Sequence, residues 1–125
     1  MNSEKSELLH VAIESRYSIA EKIRDRNTLL GKACISILSP DSPDITEIRE
    51  FFPELLRLRF DDITDVSEHA EDYKPILFSK KHLRKILRFY RRIKRRGIRK
   101  ITVHCHAGVH RSTAVGLIIL YLETR

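Results

Sequence analysis

The chain is poor in the residues that define several protein classes. Its 125 residues include two cysteines, no tryptophan, four glycines and four prolines, which excludes collagen-like and disulfide-rich proteins. Two cysteines also fit reduced thiols, so we expect a cytoplasmic location. The longest apolar run, Ala114 to Leu122, is too short to cross a bilayer, and residues 1–9 hold no continuous apolar segment typical of a signal peptide. The sequence therefore predicts one globular domain over residues 1–125, with no transmembrane segment.

Acidic residues are missing from one segment of the chain. Between Lys80 and Lys100 there are twelve Lys or Arg, half of the 24 in the chain, and no Asp or Glu. Apolar residues recur there at steps of three and four, which predicts an amphipathic helix. Its basic side has two open interpretations: a solvated helix face, or a patch that attracts an acidic or phosphorylated partner, nucleic acid or anionic lipid. With only Phe89 and Tyr90 as aromatics, the segment is thin for base stacking.

Apolar patterning predicts strands and helices that alternate along the chain. We expect strands at 8–13, 32–38, 55–60 and 99–104, and helices at 15–26, 45–52, 78–96 and 114–122. Such alternation is typical of an α/β fold with a central, mostly parallel β-sheet flanked by helices. A loop after the last strand would lie at the carboxyl ends of the strands, where open α/β sheets bind ligands.

That loop holds most of the reactive residues of the sequence. His104 to Thr113 reads His-Cys-His-Ala-Gly-Val-His-Arg-Ser-Thr. A helix N-terminus, inward-facing backbone N–H groups and the Arg111 cation would all lower the pKa of the Cys105 thiol and produce a nucleophilic thiolate. Gly108 would permit a tight turn, and Arg111 could grip two oxygens of an oxyanion. We expect Ser112 to hydrogen-bond the thiolate and His104 to orient the loop rather than act as a base.

The pattern Cys105-x5-Arg111-Ser112, with His104 before it and Gly108 inside it, resembles the signature loop of the cysteine-dependent protein tyrosine phosphatase superfamily. It is most similar to the compact dual-specificity and prokaryotic branches, and the resemblance covers about residues 32–122. The resemblance implies a protein tyrosine phosphatase-like fold. It also implies phosphomonoester hydrolysis through a phosphocysteine intermediate, without a metal or other cofactor. The implied substrate is a protein carrying phosphotyrosine, phosphoserine or phosphothreonine, or another phosphomonoester. The residues that would bind its phosphate are His106, Ala107, Gly108, Val109, His110 and Arg111.

The family also uses an aspartic acid upstream of the cysteine, which protonates the leaving oxygen and then acts as a base toward water. Asp62 matches that position best, because it follows the alternating strand that ends near Phe60. Asp61 is the second candidate and Asp65 a weaker one. Without the cysteine loop, plain turn chemistry would be the favoured explanation of Asp61 and Asp62.

Two departures from the family pattern widen the range of functions. The chain ends at Arg125, so we expect a domain without the C-terminal helices usual in the family. Either the chain is a truncated product, or the N-terminal segment or another subunit covers the apolar 114–122 helix. No phosphotyrosine-recognition loop is recognisable, which favours a shallow site. A phosphatase of phosphoinositides, inositol phosphates or RNA 5′-phosphates, and a non-catalytic phosphate-binding module, remain alternatives.

Two further features have structural explanations. Cys34 lies in an apolar strand and is expected in the core. His104, His106 and His110 are not spaced as common zinc ligands are, so we expect the last two to border the phosphate pocket and no metal to bind. The sequence leaves the oligomeric state open.

Overall fold

Four parallel strands form the centre of the fold. The structure is a computed structural model that describes residues 8–26, 31–62 and 74–125. In chain order the elements are β1 (His10–Ser15), α1 (Arg16–Arg24), β2 (Ala33–Leu38), α2 (Ile48–Phe51), β3 (Glu54–Arg59), α3 (Lys80–Arg95), β4 (Lys100–Cys105) and α4 (Arg111–Thr124).

The order of the strands places β4 inside the sheet. The order is β1-β4-β2-β3, and all three neighbouring pairs are parallel. Ser15 of β1 lies opposite Cys105, and Ser36 of β2 lies opposite His104. The last strand therefore ends between two neighbours, and the residues that follow it emerge at the carboxyl edge of the sheet, the usual place for ligands in open α/β sheets.

The side chains of β4 alternate between the two faces of the sheet, and each face has its own apolar cluster. Ile101, Val103 and Cys105 point to the face covered by α3 and α4, whose Ile86, Phe89, Ile93, Val115 and Ile119 belong to the same cluster. The opposite face is covered by α1 and α2 through Ile19, Ile23 and Ile48, and the fully buried Cys34 packs there. The sheet thus has helices on both faces, and the prediction that Cys34 is a core residue is confirmed.

The predicted α/β architecture with a parallel sheet is confirmed, but three predicted elements have clearly different bounds. The last helix begins at Arg111 rather than at 114, so it includes Arg111 and Ser112. The first strand occupies 10–15 rather than 8–13, because Ser15 ends β1 and also caps α1, its Oγ accepting a hydrogen bond from Ser18 N at 3.0 Å. The helix predicted at 45–52 is a single turn, 48–51, because Glu47 has a left-handed backbone (φ 66°) that a helix cannot include.

The last helix is apolar on more than one side, as its sequence predicts. Val115 and Ile119 are buried, whereas Leu117, Leu120 and Tyr121 are exposed. Within the described part of the chain, no helix combines the length and the apolar character that crossing a membrane requires.

Candidate active site

Cys105 is the last residue of β4, and α4 begins at Arg111. The cysteine side chain is buried, with 2% of its surface exposed, whereas His106, Ala107, Val109 and His110 of the intervening loop are exposed. The strand therefore positions the thiol at the carboxyl edge of the sheet, and the loop surrounds it there.

Hydrogen-bond donors converge on the Cys105 sulfur. Gly108 N donates to Sγ at 3.2 Å, and Ser112 Oγ lies 3.2 Å from the same atom. Burial by itself would raise the pKa of Cys105, but the Ser112 hydroxyl and the backbone N–H groups of Ser112, Gly108 and Val109 outweigh it and hold the pKa below its ordinary value. The arrangement thus favours a thiolate, the nucleophilic form of cysteine.

His104 supports the loop from the opposite face of the sheet. It is fully buried; Nδ1 lies 3.3 Å from the Cys105 carbonyl oxygen and Nε2 lies 2.6 Å from Ser36 Oγ. A carbonyl can only accept, so Nδ1 carries the hydrogen and Nε2 accepts from the serine hydroxyl. Burial lowers the pKa of His104 to about 4, so the ring is neutral near pH 7. A neutral ring held at both nitrogens orients the backbone at Cys105.

This burial predicts a pH-dependent loss of stability. The unfolded chain protonates His104 near pH 6.5 and the folded chain only near pH 4, so stability is complete above pH 6.5 and falls as the pH drops toward 4. The loss is on the order of 3 kcal/mol. Urea unfolding of the wild type and of His104→Asn across this range measures it.

The His104→Asn variant should be less stable than the wild type above pH 6.5, and its free energy of unfolding should change less with pH. Carboxylates titrate in both proteins, so the difference between the two curves isolates the imidazole. Parallel curves would mean that His104 does not titrate between the folded and unfolded states.

Gly108 lies against the junction of β1 and α1. Its φ is +75°, and a Cβ there would lie 2.9 Å from Ser15 N and 3.0 Å from the Glu14 carbonyl oxygen. A further backbone hydrogen bond, from Arg16 N to the His106 carbonyl at 3.0 Å, joins the loop to the same junction. Both the conformation and the close approach therefore require glycine.

We expect Gly108→Ala to displace the loop from β1 and to weaken the hydrogen bond from its own N–H to the Cys105 sulfur. Gly97→Ala is the matched control, because Gly97 has φ +71° and nothing within 4 Å of an added Cβ. Each substitution should cost about 1 kcal/mol from the backbone conformation alone, with roughly 1–3 kcal/mol more at Gly108 from the collision. Thermal unfolding of both variants measures the difference, and equal losses would contradict a collision with β1.

Arg111 connects the loop to the ends of two other strands. Its Nη1 donates to Ser39 Oγ at 3.1 Å and to the Phe60 carbonyl oxygen at 3.0 Å. Only 6% of the residue is exposed, and its Nε is buried without a hydrogen-bond partner among the described residues. One edge of the guanidinium is thus held by the protein, while Nε keeps an unused donor in a buried position, where an oxyanion would satisfy it.

The two candidate acids have different surroundings. Asp61 is buried; its N–H donates to the Ile76 carbonyl at 2.6 Å, and its Oδ2 accepts from Ile76 N at 2.8 Å. Asp62 Oδ2 lies 3.4 Å from His110 Nδ1, an ion pair when that ring is protonated. Asp61 therefore fastens the segment before α3, whereas Asp62 faces the cysteine loop. Asp65, the weaker candidate, lies outside the described residues.

The two remaining loop histidines flank the site on opposite sides. His106 packs edge-on against Tyr17, with ring centroids 5.5 Å apart, and His110 faces Asp62. Over residues 8–26, 31–62 and 74–125, no three His, Cys, Asp or Glu side chains converge in a way that could hold a metal ion.

A cleft of about 370 Å³ opens beside Arg111. Its polar lining residues are Asp61, Asp62, His110 and Arg111, so both candidate acids border it. The rest of the lining is apolar, formed by Phe60, Leu77, Phe78, Ala114, Val115 and Ile118. Cys105 does not line it, so this cleft adjoins the place where an oxyanion would bind but is not that place.

Sequence reasoning missed Ser36, Ser39 and Ser15 as parts of the site. Each lies at or near the carboxyl end of β1 or β2, the strands that flank β4. The available signal was a serine inside or shortly after the predicted strands 8–13 and 32–38, but it becomes meaningful only once the strand order is known. Neither the models of known protein families nor the curated proteins include a match to this chain. A proposal for the function of the site therefore depends on its geometry and on the sequence pattern of the loop.

Proposed function

We propose that the chain hydrolyses phosphomonoesters through a phosphocysteine intermediate on Cys105. The observation that carries the proposal is the environment of the sulfur: a buried thiol of lowered pKa that meets Gly108 N and Ser112 Oγ, each at 3.2 Å. Arg111, whose buried Nε has no hydrogen-bond partner in the described part of the chain, supplies a cation for the phosphoryl oxygens. These features, set between a parallel strand and a helix, support the resemblance to the cysteine-dependent protein tyrosine phosphatase superfamily.

In the first step the Cys105 thiolate attacks phosphorus, and the bond from phosphorus to the ester oxygen breaks. Arg111 and the loop N–H groups stabilise the negative charge on the phosphoryl oxygens. The leaving oxygen takes the proton of Asp62, which explains why a carboxyl group beside the loop is needed. The products of this step are an alcohol or phenol and a phosphocysteine.

In the second step water attacks phosphorus and transfers a proton to the Asp62 carboxylate. The bond from sulfur to phosphorus breaks, inorganic phosphate forms, and the thiolate returns. Ser112 assists here, because its hydroxyl lies 3.2 Å from the sulfur and donates to the departing thiolate. The acid of the first step is thus regenerated in the second.

Protein phosphoresidues are the proposed substrates. Most residues of the loop around the thiol are exposed, namely His106, Ala107, Val109 and His110. An exposed border suits a shallow site that admits phosphoserine and phosphothreonine as well as phosphotyrosine.

The role of Asp62 is tested by changing the leaving group. Asp62→Asn removes the proton donor, so we expect kcat to fall by about 10²–10⁴-fold for a phosphoserine peptide. The leaving group of an activated aryl phosphate such as p-nitrophenyl phosphate needs less protonation, so kcat for this substrate should fall by less than about tenfold. Steady-state phosphate release with both substrates measures the split.

Asp61→Asn is the matched control. Its amide oxygen can still accept from Ile76 N, so we expect both rates to stay within about threefold of the wild type. A leaving-group effect at Asp61 instead of Asp62 would assign the acid to the preceding residue. Phosphate binding without turnover would favour a non-catalytic module, and preference for an inositol phosphate or an RNA 5′-phosphate over phosphopeptides would change the substrate class.

A further inference from the structure

The solvent side of α3 consists entirely of cations. Every exposed residue of this helix is a lysine or an arginine: Lys80, Lys81, Arg84, Lys85, Arg88, Arg91, Arg92 and Arg95. The apolar side of the same helix is packed into the core through Ile86, Phe89 and Ile93. The helix is therefore fixed on the sheet and presents one continuous charged surface.

Five of these cations form a straight line, which we call the α3 basic line: Lys81, Arg84, Arg88, Arg91 and Arg95. Their steps of three and four residues follow one side of a helix over about 21 Å. None of the five forms an ion pair within the described residues, whereas their neighbour Arg92 pairs with Glu54 at 2.9 Å. Such a line of like charges destabilises the free helix, which an extended anionic partner would relieve.

The exposed residues of α3 itself include no anchor for other kinds of partner, and the nearest exposed apolar residues, at 76–78, precede the helix. Phe89 is buried and the Tyr90 hydroxyl donates to Glu123, so neither aromatic ring is presented for stacking on unpaired bases. The exposed positions of α3 offer no apolar side chain to insert into a bilayer and no aromatic or aliphatic anchor for a protein interface. The α3 basic line is therefore a rigid row of cations, which suits a rigid polyanion with closely spaced charges.

We propose that the α3 basic line binds the phosphate backbone of duplex nucleic acid without reading its sequence. A duplex carries one charge for about every 1.7 Å of its axis, so the line spans on the order of ten phosphates. Four of the five residues are arginines, whose planar fork binds phosphate oxygens in pairs. The proposal concerns binding alone and is independent of the reaction at Cys105.

The test is fluorescence anisotropy of a labelled random-sequence DNA duplex of about 30 base pairs, measured between about 50 and 200 mM salt. Five phosphate contacts predict that log K falls with log salt at a slope of about −4 to −5. The variant Arg84→Gln/Arg88→Gln/Arg91→Gln should bind at least about tenfold more weakly and reduce the slope by roughly 3.

A second triple variant controls for net charge. Arg24→Gln/Arg26→Gln/Arg49→Gln removes the same charge from three exposed residues: one in α1, one just after α1 and one in α2. These helices cover the other face of the sheet, so the variant should change Kd by less than about threefold. Equal losses in both variants would reduce the effect to overall charge and overturn the proposal. So would the absence of duplex binding at the lowest salt, or tighter binding to phosphatidylcholine vesicles containing phosphatidylserine at equal anionic charge. Circular dichroism verifies that each variant is folded.

Discussion

Cys105→Ser is expected to lower the rate of phosphate release by on the order of 10⁴-fold or more, with substrate binding retained. A serine hydroxyl at this position stays protonated, because the hydrogen bonds that favour a thiolate cannot ionise an alcohol of far higher pKa. Its size leaves the loop amides and Arg111 in place, so inorganic phosphate should still bind. Phosphate release and isothermal titration with inorganic phosphate measure the two properties.

Cys34→Ala is the control for this substitution, because Cys34 is the only other cysteine and is fully buried. Burial raises the pKa of its thiol, so it should neither react nor contribute to turnover. Iodoacetamide should therefore alkylate Cys105 below the pH at which an ordinary thiol ionises and spare Cys34 in the folded protein. Turnover by Cys105→Ser at the wild-type rate would show that Cys105 is not the nucleophile.

Arg111→Lys is expected to lower kcat/KM by roughly 10²–10⁴-fold although the charge is kept. The guanidinium bonds Ser39 Oγ and the Phe60 carbonyl through Nη1 while Nε stays available in a buried position. The three N–H donors of a lysine radiate from one nitrogen, so they cannot reproduce a planar group that bonds Ser39 and Phe60 through one nitrogen and a phosphoryl oxygen through another. Steady-state kinetics with an aryl phosphate measures the loss.

Arg49→Lys provides the comparison, since Arg49 is exposed in α2, on the opposite face of the sheet from α4. It should leave the kinetics within about twofold of the wild type. If Arg111→Lys were as active as this control, a point charge would be sufficient, and the fork geometry would play no part in the reaction.

The sequence predicted the elements because their patterns are local. The alternation in 100–105 and the three- and four-residue steps of 80–95 depend on neighbours along the chain, and both elements lie close to where the pattern put them. The predicted end of β1 was too early, because nothing local in the sequence shows that the strand continues to Ser15, the residue that caps α1. The strand extends that far because Ser15 pairs with Cys105, which is remote in sequence.

The different surroundings of Asp61 and Asp62 could not be predicted, although the sequence favoured Asp62, because they depend on a residue remote in sequence. Both follow the same strand and either could serve as an acid. Ile76 accepts and donates hydrogen bonds with Asp61, which leaves Asp62 to face His110. The same holds for the contacts of Arg111 with Ser39 and Phe60, which exist only because β2 and β3 end at the same edge of the sheet as β4.

The most direct test of the phosphocysteine mechanism is to trap the intermediate. Asp62→Asn should slow the second step, so the protein is mixed with a radiolabelled aryl phosphate, denatured rapidly, digested and analysed by mass spectrometry. We predict one phosphoryl group on the peptide that contains Cys105, attached to sulfur, and none in the same variant with Cys105→Ser. Phosphate release without a labelled Cys105, or a label on His106 or His110 instead, would contradict the mechanism.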